Sequence, residues 1–154
     1  MARMKAAKWQ SRYLDLAKQF STWSKDPGGK VGAVVIGEAG QVLSQGFNGF
    51  PRGIKDLPER LEDRETKLKY TIHAELNCVF NASLSGTSLK GSAIYVYGLP
   101  TCSDCAKAVI QAGIKTVVIV ANDIDKSDTW KASWDLSKSM LIEAGINIIE
   151  AEYE

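Results

Sequence analysis

Short runs of β-branched residues alternate with helical stretches in the second half of the chain, and this alternation constrains the fold more than any other feature. The strand-like runs cover residues 93–97, 116–120 and 146–149. The helical stretches between them cover residues 103–112 and 128–144, and a glycine that favours a helix C-terminus follows each. Strands that alternate with helices pair in parallel, so this half of the chain predicts a parallel sheet with helices packed against it.

The first half of the chain predicts two further strands, flanked by helices. Apolar residues recur at helical spacing in residues 9–20, and a second helical pattern begins at about residue 71. Between them, residues 31–36 and 42–47 are joined by a glycine-containing turn, which is typical of a hairpin. The predicted order is therefore α-β-β-α-β-α-β-α-β, an α/β fold with a five-stranded mixed sheet in a single domain of residues 1-154.

A run of charged residues separates the hairpin from the second helical pattern. Ten of the fifteen residues in 55–69 are charged, whereas both flanking segments are rich in apolar residues. Charge at this density favours contact with water over burial. The segment is therefore predicted to be a surface loop or a solvated helical excursion outside the core.

The composition argues against several classes of protein. Apolar residues make up 45% of the chain, which is enough for one globular core. A net charge of +1 gives no general attraction to nucleic acid or to an anionic membrane. No window approaches the roughly 18 apolar residues of a membrane span. The N-terminal residues lack the apolar run of a secretory signal, which predicts a cytoplasmic protein.

Cysteine and histidine are scarce in this chain, and three of these four residues lie in two short motifs. The chain has three cysteines and one histidine, His73. Cys102 and Cys105 stand at the start of a predicted helix, where the positive end of the helix dipole favours thiolates. Two thiolates and one imidazole suit Zn²⁺, and three protein ligands leave a fourth position for water, as in catalytic zinc sites. The third cysteine, Cys78, falls in an apolar helical pattern and is predicted to lie in the core.

Glu75 adds a carboxylate two residues after His73. A carboxylate beside zinc-bound water can take its proton and deliver it to a ring nitrogen and then to a leaving amine. Residues i and i+2 point to nearly opposite sides of a helix, so both side chains can reach one target only at the helix tip. His73 is therefore predicted to lie in the first helical turn. A redox-active cysteine pair and a structural zinc site are alternatives, but neither gives Glu75 a role.

Several segments together resemble the cytidine/deoxycytidylate deaminase superfamily, and within it the chain is most similar to the deoxycytidylate (dCMP) deaminases. The H-x-E tripeptide followed by C-x-x-C carries the broader resemblance. The narrower one rests on segments that span most of residues 20–120: Ser24-Lys25-Asp26-Pro27, Val31-Gly32-Ala33, Gly46-Phe47-Asn48-Gly49-Phe50-Pro51-Arg52-Gly53, His73-Ala74-Glu75-Leu76-Asn77, Cys105-Ala106-Lys107 and Gln111-Ala112-Gly113-Ile114-Lys115. The resemblance implies a cytidine-deaminase-like three-layer fold, with a five-stranded sheet flanked by helices.

The resemblance also implies a reaction and a set of residue roles. The reaction is hydrolytic deamination of dCMP to dUMP with release of ammonia. One catalytic zinc ion per chain is held by His73, Cys102 and Cys105, and Glu75 shuttles protons. The residues implied to contact the substrate are Ser24 and Lys25 near the phosphate, Asn48 at the sugar hydroxyl, and Ala74.

Regulation by nucleotides is a further implication of the resemblance. Family members are commonly homohexamers that dCTP activates and dTTP inhibits, and Mg²⁺ is expected to accompany a triphosphate effector. The candidate effector-site residues follow the second strand: Asn48, Gly49, Phe50, Arg52, Gly53, Asp56, Glu62, Glu65 and Lys69. For the charged members of this set the alternative is a solvated surface without a ligand.

Three features depart from the family pattern. The family usually has proline directly before the first zinc cysteine, whereas Thr101 here stands between Pro100 and Cys102. The chain has no cysteine or histidine to spare for the second, structural zinc of some members. A tyrosine that covers the nucleotide in many members is missing from residues 122–125, so that role is vacant or moves to Trp130. A core position is the favoured interpretation of Trp130.

Two other functions fit parts of the pattern. A deaminase of the same fold could act on adenosine in tRNA, on guanine or on free cytidine, although the net charge of +1 argues against a tRNA substrate. A non-catalytic, zinc-stabilised binding module is less favoured, because a structural metal site has no use for the acid at Glu75.

Overall fold

A six-stranded mixed sheet forms the centre of the computed structural model, which describes residues 3–154. The strand order across the sheet is β1-β6-β5-β4-β2-β3. The strands are β1 (Arg3–Lys5), β2 (Gly32–Ile36), β3 (Val42–Phe47), β4 (Ala93–Tyr97), β5 (Thr116–Val120) and β6 (Asn147–Glu152). The helices are α1 (Lys8–Ser21), α2 (Pro58–Leu61), α3 (Arg64–Tyr70), α4 (Ala74–Ser85), α5 (Ser103–Gln111) and α6 (Asp128–Glu143), with a 3₁₀ helix at Ala121–Lys126.

The pairing of the strands follows the predicted pattern, with one additional strand. β4, β5 and β6 are mutually parallel, while β2 pairs antiparallel with both β3 and β4. The prediction of five strands is wrong, because β1 adds a sixth strand parallel to β6 at one edge of the sheet. β1 is only three residues long and exposed throughout, which is too short for an alternation of apolar and polar residues to indicate a strand.

The helices lie on both faces of the sheet, which confirms the three-layer α/β arrangement. On one face, Leu14 and Ala17 of α1 pack with Val34 and Val118 of the sheet. On the other face, buried residues of α4, α5 and α6 share one core with the opposite side of the same strands. Trp134 of α6 is fully buried in this second core. None of the helices in residues 3–154 has the length and apolarity needed to cross a bilayer.

Helix α4 lies unusually close to β3, because Gly46 has no side chain. A methyl group at Gly46 would lie 2.6 Å from the carbonyl oxygen of Ala74 and 2.8 Å from the amide nitrogen of Cys78. Real side chains do not approach backbone atoms this closely, so the contact requires glycine at this position. The first turn of α4 is thereby fixed over the sheet, next to the loop that leads into α5.

The charged segment 55–69 forms the two short helices α2 and α3 on the surface. Asp63 caps α3, since its carboxylate accepts a hydrogen bond from the Thr66 amide at 3.3 Å. Most of the segment is exposed, as expected for its charge. The prediction that the segment lies outside the buried interior is wrong at Lys67, which is only 7% exposed.

Candidate active site

His73 lies at the point where the chain enters α4. It is the N-cap residue, with extended backbone angles (φ −69°, ψ 155°), and Ala74 and Glu75 are the first two helical residues. The prediction that His73 occupies the first helical turn is therefore wrong by one position. The geometric argument behind it still applies, because the side chains of His73 and Glu75 both reach the helix tip.

Cys102 is the N-cap residue of α5, and Cys105 lies in the first turn of the same helix. The thiol of Cys102 accepts a hydrogen bond from the Cys105 amide at 3.4 Å. The two sulfur atoms each lie 3.3 Å from Nδ1 of His73. Two helix N-termini, from α4 and α5, thus bring the three predicted ligands to one point.

The geometry of these three side chains fits a zinc ion. Their donor atoms all lie within 4.8 Å of one another. Tetrahedral Zn²⁺ with Zn–S bonds of about 2.3 Å and a Zn–N bond of about 2.0 Å places neighbouring sulfur and nitrogen ligands about 3.5 Å apart. The observed nitrogen–sulfur distances are close to that value. Within residues 3–154, the group of potential ligands that meets here consists of His73, Cys102 and Cys105, which leaves a coordination position for water.

Hydrogen bonds among the three ligand side chains shift their pKa values in different directions. A hydrogen bond from Cys105, with others from the His73 ring and the Cys105 amide, lowers the pKa of Cys102 to about 4. The same interaction with Cys102 raises the pKa of Cys105, because a second thiolate beside the first is unfavourable. The hydrogen bond to Cys102 also raises the pKa of His73. A divalent cation reverses the last two effects, since it binds the thiolate and neutral imidazole forms.

Glu75 is a buried carboxyl group next to the ligand set. It is 4% exposed, and burial raises its pKa to about 7, with the charge of Cys102 acting in the same direction and His73 opposing it. A group that titrates near neutrality can both accept and return a proton at physiological pH. Glu75 is not among the grouped metal-ligating residues, and its burial and raised pKa are compatible with acid–base chemistry.

Cys78 does not belong to the site. It is fully buried in α4, and its thiol points to the carbonyl oxygen of Ala33 at 3.4 Å. Burial raises the pKa of this thiol well above its ordinary value, so the thiol stays protonated. The prediction that Cys78 lies in the core is confirmed.

A cavity of about 380 Å³ opens above the ligand set. His73, Ala74 and Glu75 line its inner end, beside Leu99 and Pro100. Trp130 of α6 also lies at this end, beside His73. The outer wall is formed by the loop after α1, the residue after β3, the end of α2 and one side of α3, with these residues: Asp26, Pro27, Gly28, Gly29, Val31, Asn48, Leu61, Glu62, Arg64, Lys67, Leu68 and Thr71. The cavity thus extends from the ligand set to the space between this loop and α3.

Asn48 lies on the cavity wall with a fixed amide orientation. Its Oδ1 accepts a hydrogen bond from the Val31 amide at 2.8 Å, and its Nδ2 donates to the Gly29 carbonyl at 2.9 Å and to Asp26 at 3.4 Å. Both amide hydrogens are therefore used, and one lone pair of Oδ1 remains. Asn48 can only accept a further hydrogen bond, for example from a hydroxyl group.

Ser24 and Lys25 lie behind this wall rather than on it. The Ser24 hydroxyl is buried and donates to the Asn48 carbonyl at 2.8 Å. The Lys25 ammonium is 68% exposed and pairs with Asp56 at 3.1 Å. Neither side chain lines the cavity, in contrast to Asn48 and Ala74.

The nine candidate effector residues do not converge on one pocket. Asn48 and Glu62 line the cavity described above, whereas Gly49, Phe50 and Arg52 line a separate groove between α1, β3 and α4. Arg52 donates a hydrogen bond to the side chain of an asparagine in α4.

The other effector candidates lie on the surface. Glu65 and Lys69 form an exposed ion pair at 3.7 Å within α3. Gly53 is in a turn with φ of +83° and open space around it. Asp56 is engaged with Lys25. In this structure these four residues make contacts typical of a solvated face.

The sequence did not identify Lys67 and Asp26 as site residues, and it favoured a core position for Trp130 over a role in covering the nucleotide. Trp130 is half-buried and lines the cavity, with its ring centroid 6.0 Å from that of His73, so the core interpretation is wrong. Lys67 belongs to the charged segment 55–69, for which exposure was predicted from charge alone. Residues 64, 67, 68 and 71 all face the cavity, but they are arginine, lysine, leucine and threonine, so their helical spacing forms no apolar stripe that would have indicated this face.

Three protein ligands around an open position, with a near-neutral carboxyl group beside it, define the class of catalytic zinc centres. Comparison with known proteins narrows this class. The family model for the "cytidine and deoxycytidylate deaminase zinc-binding region" matches residues 7–121.

Individual relatives agree with the family match. The chain is 38% identical to human deoxycytidylate deaminase over 125 residues, which are 78% of this chain and 68% of the human protein. It is 34% identical over 142 residues to the "uncharacterized deaminase in luxG 3'region" of Aliivibrio fischeri, with 92% of both chains covered. The crystal structure of dCMP deaminase from cyanophage S-TIM5, in complex with dCMP and dUMP, superposes with a TM-score of 0.69 at 26% identity and covers 90% of this chain and 93% of the phage chain.

The chain therefore belongs to the cytidine and deoxycytidylate deaminase family. It is a zinc-binding deaminase, and the predicted superfamily and enzyme class are confirmed.

Proposed function

We propose that this enzyme deaminates dCMP to dUMP by hydrolysis. The observation that carries the proposal is the burial of Glu75 beside the three ligands, at the inner end of a cavity large enough for a nucleotide. The relatives named above support the choice of substrate, because deoxycytidylate deaminases recur among them and the phage structure contains dCMP and dUMP.

Glu75 is the residue to which we assign the proton transfers. A zinc ion held by His73, Cys102 and Cys105 supplies, when bound, a water molecule of lowered pKa as the nucleophile. Glu75 accepts a proton of that water and protonates N3 of the pyrimidine as the water oxygen bonds to C4. Glu75 then takes the remaining proton from the hydroxyl group formed at C4 and delivers it to the amino group, so that the C4–N4 bond breaks, the C4 carbonyl forms and ammonia leaves. The net reaction is dCMP plus water giving dUMP plus ammonia.

The wall of the cavity positions the rest of the nucleotide. Asn48 has one free acceptor lone pair, which suits a hydrogen bond from the sugar hydroxyl. Ala74 has no side chain beyond Cβ and leaves room for the pyrimidine above Glu75. We assign the phosphate to the outer end of the cavity, where the Ser24-Lys25 segment lies behind the loop that begins at Asp26.

Regulation and assembly extend the proposal. We infer from the family that dCTP with Mg²⁺ activates the enzyme, that dTTP inhibits it, and that the enzyme forms a homohexamer of single-domain chains. The groove lined by Gly49, Phe50 and Arg52 supports an effector site, because it combines an aromatic ring with a guanidinium group.

A panel of substrates tests the proposal. Purified enzyme with its zinc content measured is offered dCMP, CMP, deoxycytidine, guanine and a tRNA anticodon stem, and ammonia release is followed. We expect dCMP to have the highest kcat/KM. Preferential turnover of the tRNA stem, guanine or the free nucleoside would contradict the substrate assignment.

The same assay separates catalysis from regulation. Each substrate is measured with and without dCTP and Mg²⁺, and with dTTP. We expect dCTP to increase and dTTP to decrease the rate at low dCMP concentration. A rate that neither nucleotide changes would remove the regulatory part of the proposal and leave the catalytic part intact.

A further inference from the structure

A buried ion pair on the cavity wall has no part in the proton transfers. The Lys67 ammonium lies 2.7 Å from Oδ1 of Asp26, and the two side chains are only 9% and 11% exposed. Moving an ammonium and a carboxylate out of water is costly, and the attraction between them repays this cost only when further hydrogen bonds complete the site. The neighbours of Asp26 supply these bonds.

Asp26 organises the loop on which Asn48 depends. Its Oδ1 accepts a second hydrogen bond, from the Gly28 amide at 2.7 Å, and its Oδ2 accepts from Asn48 Nδ2 at 3.4 Å. Asn48 in turn accepts from the Val31 amide at 2.8 Å. An unbroken chain of polar contacts therefore runs from Lys67 through Asp26 to Asn48, across three segments that are distant in sequence.

The ammonium of Lys67 is closely fitted beneath this loop. A methyl group on Gly28 would lie 2.6 Å from Nζ of Lys67 and 3.3 Å from Oδ1 of Asp26. Because Nζ is the end of a flexible side chain, the added methyl would displace the ammonium rather than the backbone. The absence of a side chain at Gly28 thus determines where the charge of Lys67 can lie.

We infer that Lys67 is a positioning residue for the nucleotide. It neutralises Asp26, and Asp26 then holds residues 26–31 and the amide of Asn48 in the arrangement that accepts the sugar hydroxyl. Lys67 acts through Asp26 and Asn48, so its loss weakens nucleotide binding in the ground state and transition state alike. This inference rests on the proposed function in one respect, namely that a nucleotide occupies the cavity.

The alternative is that the Lys67–Asp26 ion pair only stabilises the fold. A second ion pair in the molecule provides a matched control for this alternative. Lys138 of α6 lies 3.4 Å from Glu150 of β6, with side chains 26% and 6% exposed. Glu150 also accepts a hydrogen bond from Trp134 at 3.0 Å. This pair has the same chemistry and a buried carboxylate, but neither residue lines the cavity.

The experiment compares Lys67→Met, Gly28→Ala and Lys138→Met with the wild-type enzyme. Each protein is characterised by its zinc content, its Tm, kcat and KM, and amide hydrogen exchange of residues 26–31. Gly28→Ala keeps both charged groups, so it remains informative if Lys67→Met folds poorly with Asp26 unpaired. Kinetics use whichever nucleotide the wild type deaminates best, so a wrong assignment of dCMP leaves the comparison valid.

We expect Lys67→Met and Gly28→Ala to raise KM about tenfold or more with kcat changed less than about threefold, because uniform binding is lost. Zinc content should stay at the wild-type value, and exchange in residues 26–31 should accelerate. Lys138→Met should lower Tm without changing KM or that exchange. Unchanged KM and exchange in Gly28→Ala would overturn the inference, as would an equal rise of KM in Lys138→Met. The exchange measurement needs no turnover, so it tests whether Lys67 orders residues 26–31 even if the proposed function fails.

Discussion

The two ends of the active-site cavity are built in different ways. At the inner end, His73, Cys102 and Cys105 come from two short motifs, each fixed by the capping geometry of one helix. At the outer end, the polar chain from Lys67 to Asn48 joins three segments that no motif connects. Under the proposed function, two short motifs therefore supply the reacting groups, whereas the placement of the substrate depends on contacts between distant parts of the chain.

This difference has a consequence for substitutions. A metal ligand cannot be replaced by its neighbours, because the coordination number and geometry of the ion demand each donor. A member of the outer network shares its role with several hydrogen bonds, so its loss weakens binding but leaves the reacting groups in place. Changes at the inner end should therefore abolish zinc binding or kcat, and changes at the outer end should alter KM.

The largest effect is expected from Cys105→Ala. Removal of one of the three ligands should reduce the zinc content from about one ion per chain to near zero, with loss of activity. Zinc per chain is measured by elemental analysis after gel filtration. Cys78→Ala is the control, since Cys78 is fully buried but is not among the grouped metal-ligating residues, and it should retain zinc. Retention of zinc by Cys105→Ala, or its loss from Cys78→Ala, would contradict the assignment of ligands.

Glu75→Gln should have the next largest effect, without loss of metal. The amide has the shape of the carboxylate but cannot accept a proton, so kcat should fall by roughly 10²–10⁴-fold. Zinc content and Tm, measured on the same preparation, should stay close to the wild-type values. A kcat within a few-fold of wild type would show that another group carries the proton.

The comparison of the two ends also explains what the sequence could predict. The zinc motif, the alternation of strands and helices, and the core position of Cys78 depend on spacing along the chain, which is visible without coordinates. Lys67 could not be found in this way, because its burial depends on Asp26, which lies 41 residues earlier. Charge alone predicts exposure, and a partner that neutralises the charge appears only when the chain is folded.

Two other errors have the same origin. β1 pairs with β6 from the opposite end of the chain, and its three residues are too few to carry a strand signal. Trp130 has the large apolar side chain of a typical core residue, and it faces the cavity because the start of α6 lies beside His73. In each case the missing information was a contact between segments that are far apart in sequence.

Trp130→Leu should give the smallest effect and tests whether a wall residue close to the metal ligands also affects binding rather than the chemical step. The ring of Trp130 lies beside His73, where a bound pyrimidine would contact its face. An aromatic contact of this kind contributes about 0.5–1.5 kcal/mol beyond burial, so KM should rise about fivefold while kcat and zinc content stay unchanged. The matched control is Trp9→Leu, because Trp9 is exposed on α1 away from the cavity and should leave KM unchanged. A fall in kcat instead of a rise in KM would show that Trp130 affects the chemical step, as the residues at the inner end do. A pure effect on binding would then be expected only for the polar network from Lys67 to Asn48.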